Sequence, residues 1–116
     1  MIKRIGLCAL ALVACILSIQ AQTQVIAHRG FWKTEGSAQN SITALEKAAE
    51  AQLYGSEFDV LMTSDGTIVV NHDNTIEGMA IPETPFKKLK KLKIKNGEKL
   101  PTLKSYLKKG KKLDIQ

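Results

Sequence analysis

Two short apolar runs, at residues 25–27 and 67–71, each stop at a histidine, and between them apolar residues recur at helical spacing. That alternation constrains the fold class more than any other feature. Residues 25–27 read as a buried strand that gives way to a loop at His28-Arg29-Gly30. Residues 31–38 carry Gly, Ser, Thr and charges and read as loop. Asn40 or Ser41 then caps a helix in which Ile42, Leu45, Ala48, Ala49 and Leu53 share a face, with Gly55 as its stop. Residues 57–63 are expected as a second strand, Ser64-Asp65-Gly66 as a turn and 67–71 as a third strand ending at His72-Asp73. Thr84-Pro85 opens a short helix with Phe86, Leu89 and Leu92 inward, and Asn96-Gly97 is a turn. Pro101-Thr102 precedes a helix with Leu103, Tyr106 and Leu107 on one face, ended by Gly110, and residues 113–116 begin a fourth strand. Strand, helix, strand, hairpin, helix, strand is the order of an α/β domain.

A chain of 116 residues holds one domain at most. Residues 1–22 fall outside it: a basic start at 1–4, an apolar run at 5–19 and small polar residues after it have the order of a secretory signal peptide. The run is shorter than the roughly 18–20 residues that span a bilayer. The expectation is export, to a periplasm or the outside. Leu12-Val13-Ala14-Cys15 also resembles a lipobox that would anchor the protein through Cys15, although Ile16-Leu17-Ser18-Ile19 continues the apolar run instead of opening a polar tether. Cys8 and Cys15 are the only cysteines, so residues 23–116 contain neither a disulfide nor a thiolate metal site.

The chain has two histidines, each at a strand end, where α/β proteins collect functional groups. A two-residue Asp65-Gly66 hairpin loop sets Ser64 opposite Thr67, Met62 opposite Val69, Leu61 opposite Val70 and Asp59 opposite His72. Opposed residues share a sheet face with Cβ atoms about 5 Å apart. Glu57, two residues from Asp59, projects to that face as well. Two carboxylates on one strand suit a hard cation, Mg²⁺ or Ca²⁺; they also read as a solvated pair on an edge strand, although Phe58, Val60 and Leu61 beside them are apolar. Arg29 offers a planar fork matched to phosphate oxygens, and histidine moves protons near neutral pH. Without more, His28-Arg29-Gly30 also reads as a basic turn.

Val25-Ile26-Ala27-His28-Arg29-Gly30, Gln39-Asn40-Ser41, Gly55-Ser56-Glu57-Phe58-Asp59-Val60, Thr63-Ser64-Asp65-Gly66, Val69-Val70-Asn71-His72-Asp73 and Leu100-Pro101-Thr102-Leu103 follow one another in an order that resembles the glycerophosphodiester phosphodiesterase family. The resemblance covers nearly all of residues 24–116. It implies a TIM-type (β/α) barrel of the phospholipase C-like phosphodiesterase kind. It also implies a divalent metal held by Glu57 and Asp59, a general acid and base pair in His28 and His72, and Arg29 on the phosphate. The reaction implied is hydrolysis of a small-molecule glycerophosphodiester to glycerol 3-phosphate and an alcohol. Two departures stand out. Gln39 occupies a place where family members often carry Glu. The family barrel needs about 250 residues, so residues 23–116 are expected to be its N-terminal part, cut after about half the barrel, with a third metal carboxylate missing; Asp114 lies too early in its strand to replace it.

Lysine is dense from residue 87 to 112 and the formal charge is +6. The lysines alternate with Phe86, Leu89, Leu92, Leu103 and Leu107 as the solvated faces of two helices, with few aromatics or arginines for stacking on bases. No nucleic-acid partner is expected, and weak attraction to anionic lipid surfaces is compatible with the charge. Besides the hydrolase, the sequence allows an inactive truncated remnant with an incomplete metal site, and a basic module that binds anionic surfaces or nucleic acid.

Overall fold

Ser41 starts the first helix as its structure requires: in extended backbone, its hydroxyl accepts the N–H of Ala44 at 2.9 Å. The computed structural model describes residues 21–116. Most of the expected signal peptide 1–22, with Cys8, Cys15 and the lipobox reading, lies outside the described residues. Within them no helix is long and apolar enough to cross a membrane.

Strand β1 (Ile26–Ala27) pairs in parallel with β2 (Gly55–Ser56) through the connecting helix α1 (Ile42–Glu50). β3 (Val60–Met62) and β4 (Ile68–Val70) form an antiparallel hairpin, and β5 (Thr75–Ile76) and β6 (Met79–Ala80) a second one. A 3₁₀ turn (Ile81–Glu83), α2 (Phe86–Leu89) and α3 (Leu103–Leu113) complete the order. These elements do not close a barrel. They form three two-stranded ladders, and β1–β2 with α1 between them is one βα unit and the strand that follows.

Val69 and Val70 are both fully buried, so the two faces of β4 lie against separate cores. Val69 packs with Ile76, Ile81, Leu89 and Leu100, whereas Val70 packs with Leu45 and Tyr106. Phe58 joins the second core with its ring 4.6 Å from that of Tyr106. A strand buried on both sides reads as a continuous apolar run, as Ile68-Val69-Val70 does.

Several expectations are corrected. The hairpin register is one residue off: Val60 faces Val70, Leu61 faces Val69 and Met62 faces Ile68. The cause is a three-residue loop. Thr63 N–H donates to Thr67 O at 2.8 Å, the Thr63 hydroxyl accepts the Thr67 N–H, and Gly66 takes the left-handed conformation that such a loop demands. Asp59 consequently lies opposite Asn71, whose N–H it accepts at 3.0 Å, and not opposite His72. The strand expected at 57–63 is interrupted after Ser56 and resumes at Val60. Val25 and Ile26, expected to be buried, are each 55% exposed, because β1 has a neighbour on one side only among the described residues.

Helix ends differ as well. α1 ends at Glu50 and is closed off by Gln52, not by Gly55. Gln52 is left-handed (φ 56°), and the Gln52 and Leu53 N–H groups close back on Ala49 O and Ala48 O in a Schellman arrangement. Gly110 lies inside α3, which runs on to a left-handed Asp114. Leu107 is half exposed while Tyr106 takes the buried position. Of the expected fourth strand, Leu113 belongs to α3, and only Gln116 pairs, donating to Tyr54 O and accepting from Ser56 N–H at 2.8 Å.

Candidate active site

β1 ends in two successive left-handed residues, Arg29 (φ 60°) and Gly30 (φ 79°). Gly30 sits so close to α1 that a Cβ there would lie 2.6 Å from the Ala44 Cβ, which excludes any other residue. The bend turns the Arg29 backbone N–H onto Glu57 Oε2 at 3.1 Å and the Arg29 carbonyl onto the Asn40 N–H at 2.9 Å. A non-glycine residue held at positive φ is the kind of local strain that clusters at functional sites.

The Arg29 side chain lies across the carboxylates. Its Nη1 donates to Gln39 Oε1 at 2.8 Å, and its Nε stands 3.5 Å from Asp59 Oδ2. That Nε is enclosed by protein and too poorly aligned with any acceptor to make a hydrogen bond. Asn40 fixes Asp59 from the other side: its Nδ2 donates to Asp59 Oδ2 at 3.0 Å and its Oδ1 accepts the Asp59 N–H at 3.1 Å. Asn40 is buried and left-handed (φ 59°). His28 is largely exposed, with Nε2 3.8 Å from Glu57 Oε2.

His28, Arg29, Glu57 and Asp59 thus meet in one patch, assembled by the β1 bend and the break between β2 and β3. His72 is not bonded to that patch. Its Nδ1 lies 2.8 Å from Asp73 Oδ1, and that bond is the main cause that holds the Asp73 carboxyl below its ordinary value, with the charges of His72, Lys95 and Arg29 adding to it. His72 instead shares a cleft of about 390 Å³ with Gln39 and Asn40, which themselves bind Arg29 and Asp59. The cleft joins the two groups of residues that the corrected register separates.

Glu57 and Asp59 each keep one carboxylate oxygen, Oε1 and Oδ1, free of protein hydrogen bonds among the described residues, and both side chains are partly exposed. Two hard oxygens of this kind fit a partly hydrated divalent cation. Among the described residues no group of three or more His, Cys, Asp or Glu side chains is arranged to hold a metal. Asp114, set aside in the sequence as a ligand, caps α3 in left-handed backbone.

Asn40, which the sequence offered as a helix cap and within Gln39-Asn40-Ser41, was given no site role there, yet it holds Asp59 at both ends of its amide. Its burial, which only the structure shows, is what demands a partner for the amide.

Residues 28–116 match the model of the Glycerophosphoryl diester phosphodiesterase family. A glycerophosphodiester phosphodiesterase of Caldanaerobacter subterraneus subsp. tengcongensis is 37% identical over 94 residues, 71% of this chain and 38% of that protein. The crystal structure of a glycerophosphodiester phosphodiesterase from Parabacteroides distasonis superposes with a TM-score of 0.75 at 61% identity, over 78% of this chain and 38% of that one. A phosphodiesterase from Oleispira antarctica, solved in complex with the product sn-glycerol-3-phosphate, gives a TM-score of 0.72 at 27% identity, over 80% and 42% of the two chains. The chain spans about 38% of the length of the curated relative.

Proposed function

The chain belongs to the glycerophosphoryl diester phosphodiesterase family, and on that premise we propose that the protein hydrolyses glycerophosphodiesters to glycerol 3-phosphate and an alcohol. The observation that carries this reading is the patch in which Arg29 lies against Asp59 while its backbone N–H binds Glu57. An anion-matched fork beside two carboxylates suits a ligand that is at once a phosphate and a metal chelate.

In this reading Glu57 Oε1 and Asp59 Oδ1 would hold the cation, Mg²⁺ or Ca²⁺. When bound, such an ion neutralises charge that develops on the phosphoryl oxygens. Arg29 Nη2, which makes no hydrogen bond among the described residues, faces the same task from the protein side. Gln39 holds the Arg29 guanidinium and Asn40 holds the Asp59 carboxylate in place.

The histidines divide the proton work. Asp73 is ionised near neutral pH and therefore only accepts hydrogen bonds, so His72 Nδ1 is the donor in their 2.8 Å bond. In the neutral form of that tautomer the His72 lone pair lies on Nε2, where a general base needs it. His28, near the Glu57 carboxylate, is left as the general acid for the departing alcohol. Residues 1–22 are read as an export signal, which would place this chemistry outside the cytoplasm.

The test is release of glycerol 3-phosphate from glycerophosphocholine by the purified protein. Release that stops in EDTA and in His28→Ala supports the reading. A second reading, a non-catalytic remnant, is favoured by the two-carboxylate donor set; absence of release from a cooperatively folded sample with saturating Mg²⁺ decides for it.

A further inference from the structure

We propose that Glu98 is a positioning residue for the patch of Arg29 and Asp59: from a hairpin turn far along the chain it holds the first turn of α1 and the loop that leads into it. The proposal rests on the hydrolase reading for the chemistry of the patch. The contacts that hold the patch stand apart from that reading.

Glu98 is the only carboxylate between Glu83 and Asp114, in a stretch dense with lysine. Among the described residues it nonetheless forms no ion pair. Its two oxygens turn to neutral donors instead. Oε1 accepts the Thr43 backbone N–H at 3.3 Å, across 55 positions of sequence, and Oε2 accepts the side-chain amide of Asn96. The same Asn96 Nδ2 donates to Gly36 O at 3.2 Å, and Asn96 Oδ1 accepts the Glu98 N–H at 3.2 Å. The turn that aims the two side chains is itself closed: Ile94 N–H donates to Glu98 O and Gly97 N–H to Ile94 O, both at 2.9 Å.

The Thr43 N–H is one of the donors that a helix start leaves without an intrahelical partner. Ser41 takes the N–H of Ala44 and leaves that of Thr43 to Glu98. A carboxylate there also suits the positive end of the helix dipole. This first turn is what the site leans on. Ala44 O accepts the Phe31 N–H at 3.0 Å, just past the Arg29–Gly30 bend, and Gly30 lies against Ala44. Asn40, three residues before Thr43, grips Asp59. The loop between bend and helix is tied from its other side by Lys47, whose ammonium donates to Thr34 Oγ1 at 2.8 Å and to the Glu35 carbonyl. Glu98 thus acts through the α1 start on Asn40 and the bend, and through Asn96 on the loop.

Trp32, the single tryptophan, lies in the tied loop, so acrylamide quenching of its emission reports whether the loop stays seated. Mn²⁺ calorimetry reports whether Glu57 and Asp59 stay set. Glu98→Ala should make Trp32 easier to quench and weaken Mn²⁺ binding roughly tenfold, the lower end for a residue that orients a ligand from outside. Glu98→Gln keeps an acceptor for the Thr43 N–H and should recover most of that affinity. Asp65→Asn weakens the fold at the β3–β4 loop instead, and should leave both readings at the parent values. Asn96→Ala cuts the tie to Gly36 alone, and should raise Trp32 quenching even where Glu98→Ala does not fold. Unchanged quenching in Glu98→Ala or Asn96→Ala, unchanged Mn²⁺ affinity in Glu98→Ala, no recovery in Glu98→Gln, or the same losses in Asp65→Asn would overturn the proposal. A parent protein that binds no Mn²⁺ removes the metal-dependent hydrolase reading instead, and Trp32 quenching then decides the positioning claim by itself.

Discussion

Asn40 commits both ends of its amide to Asp59, one to the side chain and one to the backbone, from a fully buried position. Asn40→Ala would leave two polar groups of Asp59 without partners, at about 1–3 kcal/mol for each that water cannot reach. The expected outcome is a lower melting temperature together with roughly 10- to 100-fold weaker Mn²⁺ binding by calorimetry, the usual effect of losing a group that orients a ligand. A fall in melting temperature with unchanged Mn²⁺ affinity would show Asn40 to be structural only. At this scale the sequence was informative about residue type and poor about partnership. His28, Arg29, Glu57 and Asp59 do meet, and strand ends with mixed charge announce such a meeting. That Arg29 would bond Gln39, or Asn40 grip Asp59, depends on two consecutive left-handed residues, which no pattern of polarity encodes.

Among the elements, α1 ends on a residue poorly suited to its backbone. Gln52 holds a left-handed conformation at an exposed position, and Gln52→Gly should raise stability by about 0.5–1 kcal/mol, read by urea denaturation. The β3–β4 loop gives a pH-dependent case. The Thr63 hydroxyl and the Phe86 N–H, in that order of effect, hold the Asp65 carboxyl below its ordinary 3.8. A depressed carboxylate stabilises the fold above that ordinary value, and the contribution disappears as pH falls through the lower folded value. Asp65→Asn should therefore be less stable than the parent at pH 7, and the gap should narrow below pH 3.8 in denaturant melts run at each pH. The same loop explains why the register was misread. Asp65-Gly66 has the look of a two-residue turn, but Thr63 and Thr67 bond each other directly and make the loop three residues long. The elements themselves were legible because apolar spacing survives in them. Their ends were not, because Gln52 and Asp114 terminate helices that glycines were expected to end.

For the molecule as a whole, β4 decides cooperativity. Val69 and Val70 belong to different cores but to one strand, so neither core can open alone. Val70→Ala should cost roughly 1.5–3 kcal/mol and still unfold in one step, with Trp32 emission and helical circular dichroism changing together; two separated transitions would contradict this. The overall class was readable from the alternation of strand, helix and hairpin, while the division of the strands into three two-stranded ladders was not, since pairing depends on partners that local pattern does not name. β1 shows what that means in solution. Among the described residues it is paired along one edge only, beside two half-exposed aliphatic residues, Val25 and Ile26. An edge of this kind is a place where a further strand can add.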